Sequence, residues 1–262
     1  MKRLLCSLLA LPLFACAIPS ASVGVHTGQY SMDGSVGLAT AASGAAVDAT
    51  TSLDGLGLGD DSSSLGADVV LNMGVPTLVL SAVQTDFSGS GVLTSDFEVD
   101  GVSLTTGTPV DSILDVAMYQ AFFLFELVPG DTVDFAIGLG VDMLDFDGSF
   151  TGDTDPDPGN TTIETLVLDQ PVPLPVVGAR AAVALGPVDL SAFVTGAAFD
   201  FDDVEVSALD VDIRAAIDVF GPMAAFVGYR DNAIEVDYVD GVDAGRLDFS
   251  IGGPYFGLRA SF

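Results

Sequence analysis

The sequence predicts an all-β protein, an antiparallel up-and-down transmembrane β-barrel of about ten strands. Three observations predict it. The final residues, Arg246 to Phe262, end on an aromatic, and within them Phe256 to Phe262 alternate large or apolar side chains with small or polar ones. Such a segment suits the closing strand of a barrel, with one face to lipid and the other to the interior. The same period-two alternation recurs along the whole chain, and the connections between the alternating segments are short and long by turns.

The alternation is clearest in Asp210–Val219, where Val211, Ile213, Ala215, Ile217 and Val219 share one face and Asp210, Asp212, Arg214 and Asp218 the other. A repeat of two is the signature of a strand, because successive side chains leave opposite faces of the pleat. Val133, Phe135, Ile137, Leu139 and Val141 repeat it opposite Asp134, Gly138, Gly140 and Asp142, as do Ala67 to Met73 and Val188 to Val194. Tight links fall at Gly74-Val75-Pro76, Pro129-Gly130-Asp131, Gly186-Pro187 and Gly221-Pro222, where Gly and Pro suit sharp turns. Longer polar stretches lie near 38–63, 88–110, 151–171, 200–204 and 239–245. The expected strands are 22–37, 64–74, 77–88, 111–127, 132–149, 172–185, 187–199, 205–219, 222–238 and 245–262. An even number places both ends and the tight turns on the periplasmic side. The alternation changes phase near Asp231-Asn232 and at Gly252-Gly253-Pro254, which predicts bulges there, since one extra residue exchanges the faces. With those bulges, Leu247, Phe249 and Ile251, then Phe256, Leu258 and Phe262, face lipid. A soluble β-sandwich shares the alternation, but it accounts less well for the aromatic terminus and the alternating turn lengths.

Residues 1–21 have the form of a secretory signal peptide: Lys2 and Arg3, a short apolar run from Leu4 to Phe14, then small residues to Ser22. The apolar run is shorter than the ~20 residues a spanning helix takes. Ala15-Cys16-Ala17 and Ser20-Ala21-Ser22 are competing processing regions, and Leu13-Phe14-Ala15-Cys16 resembles a lipobox that would lipidate Cys16. Both cysteines lie in this segment, so the barrel domain, 22–262, has neither disulfide nor thiolate. Hydrophobic content is 49% with a mean hydropathy of +0.54, yet no long apolar run follows the leader. Interleaved lipid-facing positions produce that combination. The formal net charge is −30, and the basic residues after the leader are Arg180, Arg214, Arg230, Arg246 and Arg259. So acidic a surface repels nucleic acid and favours cations. Adaptation to high salt produces the same composition.

Candidate chemistry is sparse. His26 is the sole histidine and points inward by alternation from Val23 and Val25, which makes it a lumen residue before a catalytic base. No paired carboxylates stand out from the acidic background, so catalytic residues and an enzymatic activity are not expected. Asp145, Asp147, Asp153, Asp155 and Asp157 are a candidate Ca²⁺ or Mg²⁺ set, because clustered carboxylates suit hard cations. They lack an EF-hand continuation, and solvated loop acid is the simpler account. Asp60-Asp61 and Asp200 to Asp203 are similar clusters. Arg180, Arg214, Arg230 and Arg259 take inward positions, with Asp134, Asp142, Asp189, Asp210, Asp212, Asp218 and Glu126 as neighbours. Pairing them fills a narrow barrel and avoids isolated buried charge. Tyr30, Tyr119, Tyr229, Tyr238 and Tyr255, with Phe122, Phe123, Phe125, Phe256 and Phe262, are candidates for the interfacial aromatic girdles in a chain without Trp.

Ser52 to Leu58, Phe97 to Val102 with Thr108 to Asp111, and Gly253 to Leu258 occur in an order that resembles a family of small Gram-negative outer-membrane β-barrel proteins of uncharacterised function. The resemblance implies one barrel with long first and second loops, and it supplies no catalytic residues. The acidity, the missing Trp and the lipobox-like segment depart from it. The expected role is structural, in the outer membrane, with a largely filled lumen. A narrow cation-preferring pore and a lipid- or peptide-cleaving barrel hydrolase are the alternatives. The expected partners are outer-membrane lipid and the barrel-assembly machinery, the latter through the strand ending at Phe262. No cofactor is expected beyond Ca²⁺ or Mg²⁺ at the external acidic loops.

Overall fold

In a computed structural model, residues 20–40, 50–59, 61–94, 97–99, 102–104, 106–130, 132–153, 163–201, 204–240 and 243–262 are described. The signal segment through residue 19, with Cys16, lies outside them, as does Asp60. The elements are β1 (Ser20–Thr40), β2 (Thr50–Ser52), β3 (Ser62–Asn72), β4 (Thr77–Val92), β5 (Phe97–Val99), β6 (Val102–Leu104), β7 (Pro109–Val128), β8 (Val133–Asp153), β9 (Ile163–Leu185), β10 (Val188–Phe201), β11 (Val204–Phe220), β12 (Met223–Asp240) and β13 (Asp243–Ser261).

Ten of these form the wall. Neighbours pair antiparallel in the order β13-β12-β11-β10-β9-β8-β7-β4-β3-β1, and β13 closes on β1 from Ser22↔Ser261 to Thr40↔Asp243. Each expected strand is found, extended in most cases by a few residues. The largest extension is β9, which begins at Ile163. Closure satisfies the backbone groups that lipid cannot. At the tight turns, Gly186 and Gly221 adopt φ of 68° and 53°, left-handed values that favour glycine. The short β2 and the β5–β6 hairpin occupy stretches that alternation alone left as loop.

The expected bulges do not occur. β12 pairs with β13 without a break from Met223↔Ala260 to Asp240↔Asp243, through both suspected sites. What changes is the meaning of each face. In β8, Phe135, Ile137, Leu139, Val141 and Met143 point outward and are exposed, opposite the inward Asp134 and Asp142. Further along the same strand, with the pleat unbroken, Asp145 and Asp147 point outward while Leu144, Phe146 and Phe150 are buried inside. β13 does the same: Phe256 and Leu258 face out, whereas Phe249 and Ile251 are buried within and Leu247 packs against that core. The expectation that Leu247, Phe249 and Ile251 touch lipid is therefore overturned. The periplasmic part of the wall has lipid outside, so its apolar face is outward. The external part stands in water, so its apolar face turns to a core, as in a soluble protein. A polarity reversal within a constant pleat mimics a one-residue slip.

The external core contains Met32, Val83, Phe87, Leu114, Val116, Phe146, Phe249 and Ile251, with Phe146 edge-on to Phe249 at 5.5 Å. The first long loop completes it. β3 is short, so above it the wall would gape between β1 and β4. The segment 50–59 fills that gap: β2 pairs with Ser35–Gly37, and Leu53, Leu56 and Leu58 are buried. Its backbone lies directly on Gly89 and Gly91 of β4, where any Cβ would collide with the carbonyls of Gly57 and Gly55.

Leu139→Arg, in the middle of the lipid belt of β8, is expected to destabilise the barrel by about 2–4 kcal/mol in vesicles, while Ser149→Arg on the same face above the belt leaves stability nearly unchanged. Urea unfolding followed by gel migration measures both. Phe87→Ala, which empties part of the external core, is expected to cost about 3–5 kcal/mol in the same assay.

Candidate functional site

The part of the lumen below the apolar core is a layer of charged and polar side chains to which all ten wall strands contribute. Parity of the strands aims them there. Inward positions on β11 are Asp210, Asp212 and Arg214, and Asp212 lies directly across from Arg230 of β12. Arg230 grips Asp210 with two hydrogen bonds, Nε to Oδ1 at 3.0 Å and Nη2 to Oδ2 at 2.7 Å, and its Nη1 reaches Ser81 Oγ at 3.4 Å. This pair is buried, with side-chain exposures of 9% and 6%, so two-point contact matters to both partners.

Arg214 is the second centre. It contacts Asp68 at 3.1 Å and Asp212 at 3.2 Å, and its Nε donates to the Tyr255 hydroxyl at 3.0 Å. The Tyr255 hydroxyl donates in turn to Asp212. The guanidinium also lies over the Phe226 ring, 4.5 Å from its centroid. His26 Nδ1 is 3.4 Å from Asp68 Oδ2, and its ring packs against Tyr255 at 4.9 Å. Two inward glycines make room: a Cβ on Gly66 would strike the His26 ring, and one on Gly228 would strike Tyr255. Toward the periplasmic mouth, Arg180 pairs with Asp134 at 3.3 Å and Arg259 with Asp189 at 3.7 Å. A cavity of about 250 Å³ lies among these groups, bounded by Thr132, Arg180, Asp189, Arg214, Arg230 and Arg259.

One buried carboxylate stands apart. Asp142 is only 8% exposed, and Thr195 Oγ1 donates to its Oδ2 at 3.4 Å. Its Oδ1 has no partner, and no Arg forms an ion pair with it. Gln120 Nε2 links this corner to the Arg230 pair, 3.5 Å from both Thr195 Oγ1 and Asp210 Oδ2.

The four arginines and Asp134, Asp142, Asp189, Asp210 and Asp212 thus occupy the lumen face that alternation assigned to them. Asp218 is exposed at the periplasmic end of β11, and Glu126 is half-buried near the end of β7. Alternation also places Asp68 on the inward face, opposite Val69 and Leu71, where it pairs with Arg214 although it is not among the expected partners. Tyr255, Tyr30 and Phe122, expected in the girdles, are buried inside the barrel. Their strands carry them inward, and an aromatic alone does not reveal which face it takes. Tyr119, Phe123, Phe125, Tyr229, Phe256 and Phe262 are exposed outside, and the side chain of Tyr238 lies outside the described residues.

The candidate cation set is spread along β8 and beyond it. Asp145 and Asp147 lie on the outer face, Asp153 ends the strand, and Asp155 and Asp157 fall outside the described residues, as do Asp202 and Asp203. Among the described residues, no group of three His, Cys, Asp or Glu is arranged to hold a metal. Above the lipid belt, register instead aligns Asp86, Asp115 and Asp147 side by side on β4, β7 and β8. The Asp115 carboxyl is held above the usual carboxylate range, first by burial and then by the charges of Asp86 and Asp147.

Comparison with known proteins supports the fold. No protein-family model matches the sequence, and no curated protein matches it. Among solved structures, the barrel is similar to the outer-membrane protease OmpT of Escherichia coli, with a TM-score of 0.66 at 10% identity, covering 93% of this chain and 97% of that one. Neisserial surface protein A (TM-score 0.35, 12% identity, 92% and 99% covered) and the Yersinia pestis attachment protein Ail (0.32, 11%, 93% and 98%) also align. The closed antiparallel ring and its exposed apolar belt define an outer-membrane β-barrel, and the protein resides in that membrane.

Asp210→Ala is expected to destabilise the barrel by about 3–5 kcal/mol, because it strands the buried Arg230 charge. Urea titration measures the loss. Asp115→Asn has a different signature. A carboxyl raised in the folded state favours the barrel while protonated and opposes it once ionised. The variant is therefore expected to raise the urea midpoint at neutral pH, with the gain vanishing as pH falls below the ordinary aspartate range. A gain that persists in acid would count against repulsion as the cause.

Proposed function

We propose that the protein is a non-conducting structural barrel of the outer membrane that presents an acidic external face. The observation that carries this is the stacking of two seals in one lumen. The charged layer holds its four arginines in ion pairs with carboxylates, and the external core above it is closed by Phe87, Phe146, Phe249 and the inserted segment 50–59. An ion would have to cross a plug that is mainly apolar, with isolated hydroxyls such as Thr85 and Ser112, at a large desolvation cost. Purified protein in planar bilayers is expected to give no single-channel steps at either polarity. Steady cation-selective steps would instead support the narrow pore, which the unpaired Asp142 favours.

The proposal assigns no catalytic role. His26 is buried, close to Asp68 and packed on Tyr255, and protease activity is a property of OmpT. Any hydrolysis of peptides or lipids that disappears in His26→Ala would overturn this part. Divalent cations are proposed companions of the outer face, where Asp86, Asp115 and Asp147 align and Asp145 lies one pleat nearer the belt. Ca²⁺ gathered there without a coordinating site would relieve the same repulsion that Asp115→Asn removes, and a Ca²⁺-dependent rise in the urea midpoint that Asp115→Asn loses is the readout. The terminal strand, whose Phe262 exchanges two backbone hydrogen bonds with Ala21, is the proposed contact for the barrel-assembly machinery.

A further inference from the structure

The wall is incomplete in a second place. β9 and β10 pair from Leu185↔Val188 only as far as Val177↔Gly196. Beyond that point β9 runs on to Ile163, paired to β8 alone, and β10 runs on to Phe201, paired to β11 alone. The two strands therefore part along a slit toward the external side. The sequence explains why. Pro171, Pro173 and Pro175 occupy alternate positions of β9, while pairing to β8 continues through them. Alternate residues of a strand direct their N–H groups to the same neighbour. An intact β8 ladder means that the three missing N–H groups belong to the edge facing β10. That edge cannot be zipped, and it exposes no orphan donors at those positions.

Register sets the depth of the slit. Pro175 lies opposite Val141 and Pro173 opposite Met143, both exposed residues of the lipid belt. The slit therefore enters the external half of the hydrocarbon layer. Inward apolar side chains beside it are incompletely covered: Val172, Ala197, Phe199, Val204 and Ala208 are only partly buried against the core. The gap above β3 is plugged by the chain's own Leu53, Leu56 and Leu58, whereas the side chains beside this one stay partly exposed.

We propose that the slit between β9 and β10 is a lateral seat for an acyl chain of an outer-leaflet lipid, which lies against Val172, Ala197 and Phe199. Continuity with the belt selects this occupant. The seat opens where lipid already covers the wall, its lining is apolar, and the prolines remove donors that hydrocarbon could not satisfy.

The absence of Trp from the chain makes a direct test practical. Phe199→Trp would be reconstituted in phosphatidylcholine vesicles whose acyl chains are brominated, and its emission compared with that in unbrominated vesicles. Met143→Trp, on the lipid belt at the level of Pro173, and Phe146→Trp, in the external core, are the controls. An inward Phe199→Trp reporter is expected to lose the same fraction of its emission as the belt control. Restoring donors with Pro173→Thr and Pro175→Thr is expected to reduce that loss toward the core control by letting the seam close. If Phe199→Trp does not fold, as judged by heat-modifiable migration, Val172→Trp is the second reporter. Quenching no greater than that of Phe146→Trp overturns the proposal. In that case a red-shifted emission assigns the slit to water, and an unshifted one to a strand or loop laid over the β10 edge.

Discussion

A backbone inside hydrocarbon must find every hydrogen bond within the protein, and the rest of this structure follows from meeting that demand. The ring closes through a β1–β13 register that is constant on either side of Gln29 and Tyr30, and the tight glycine turns keep the periplasmic ends together. A residue inserted in the spanning region would break the ladder, and among the described residues the register shifts lie only by the periplasmic turns, at Glu126–Val128 and Asp218–Phe220. The demand lapses where the strands emerge into water. There β3 stops early and the first loop folds back as part of the core, while the parting of β9 and β10 reaches down into the belt, where the alternate prolines of β9 leave one edge without donors.

The interior follows from the same geometry. A barrel of ten strands is narrow, and its inward positions must fill the space. In the membrane-spanning part the outward face takes the apolar residues, which leaves polar ones for the lumen. Those charges are tolerable because they meet across strands: Asp210 with Arg230, Asp68 and Asp212 with Arg214. Above the membrane the assignment reverses, and Phe87, Phe146 and Phe249 build an ordinary core. The charged layer and the apolar core thus have a single cause, the change of outer solvent along each strand.

Much of this was legible from periodicity. Ten strands, their order of turns, the inward arginines and the inward His26 all follow from counting by two. Two errors share one origin. Asp231-Asn232 and Gly252-Gly253-Pro254 look like phase slips because hydropathy changes sides there, and alternation alone cannot distinguish a moved side chain from a moved solvent boundary. Tyr30, Phe122 and Tyr255 were drawn to the membrane interfaces by residue type, although their parity carries them inside. The alternate prolines of β9 were visible as composition, but their effect depends on which neighbour their nitrogens face.

By itself, then, the sequence determined what a period of two can carry: the strands, which residues share a face within most of each strand, and the class of membrane the barrel occupies. Only the tertiary structure decided which carboxylate meets each arginine, why Asp142 is left without one, and where the apolar face turns from lipid to core. Those depend on the stagger of neighbouring strands around the ring and on the height at which the membrane surface cuts them. Neither quantity is a property of any one strand.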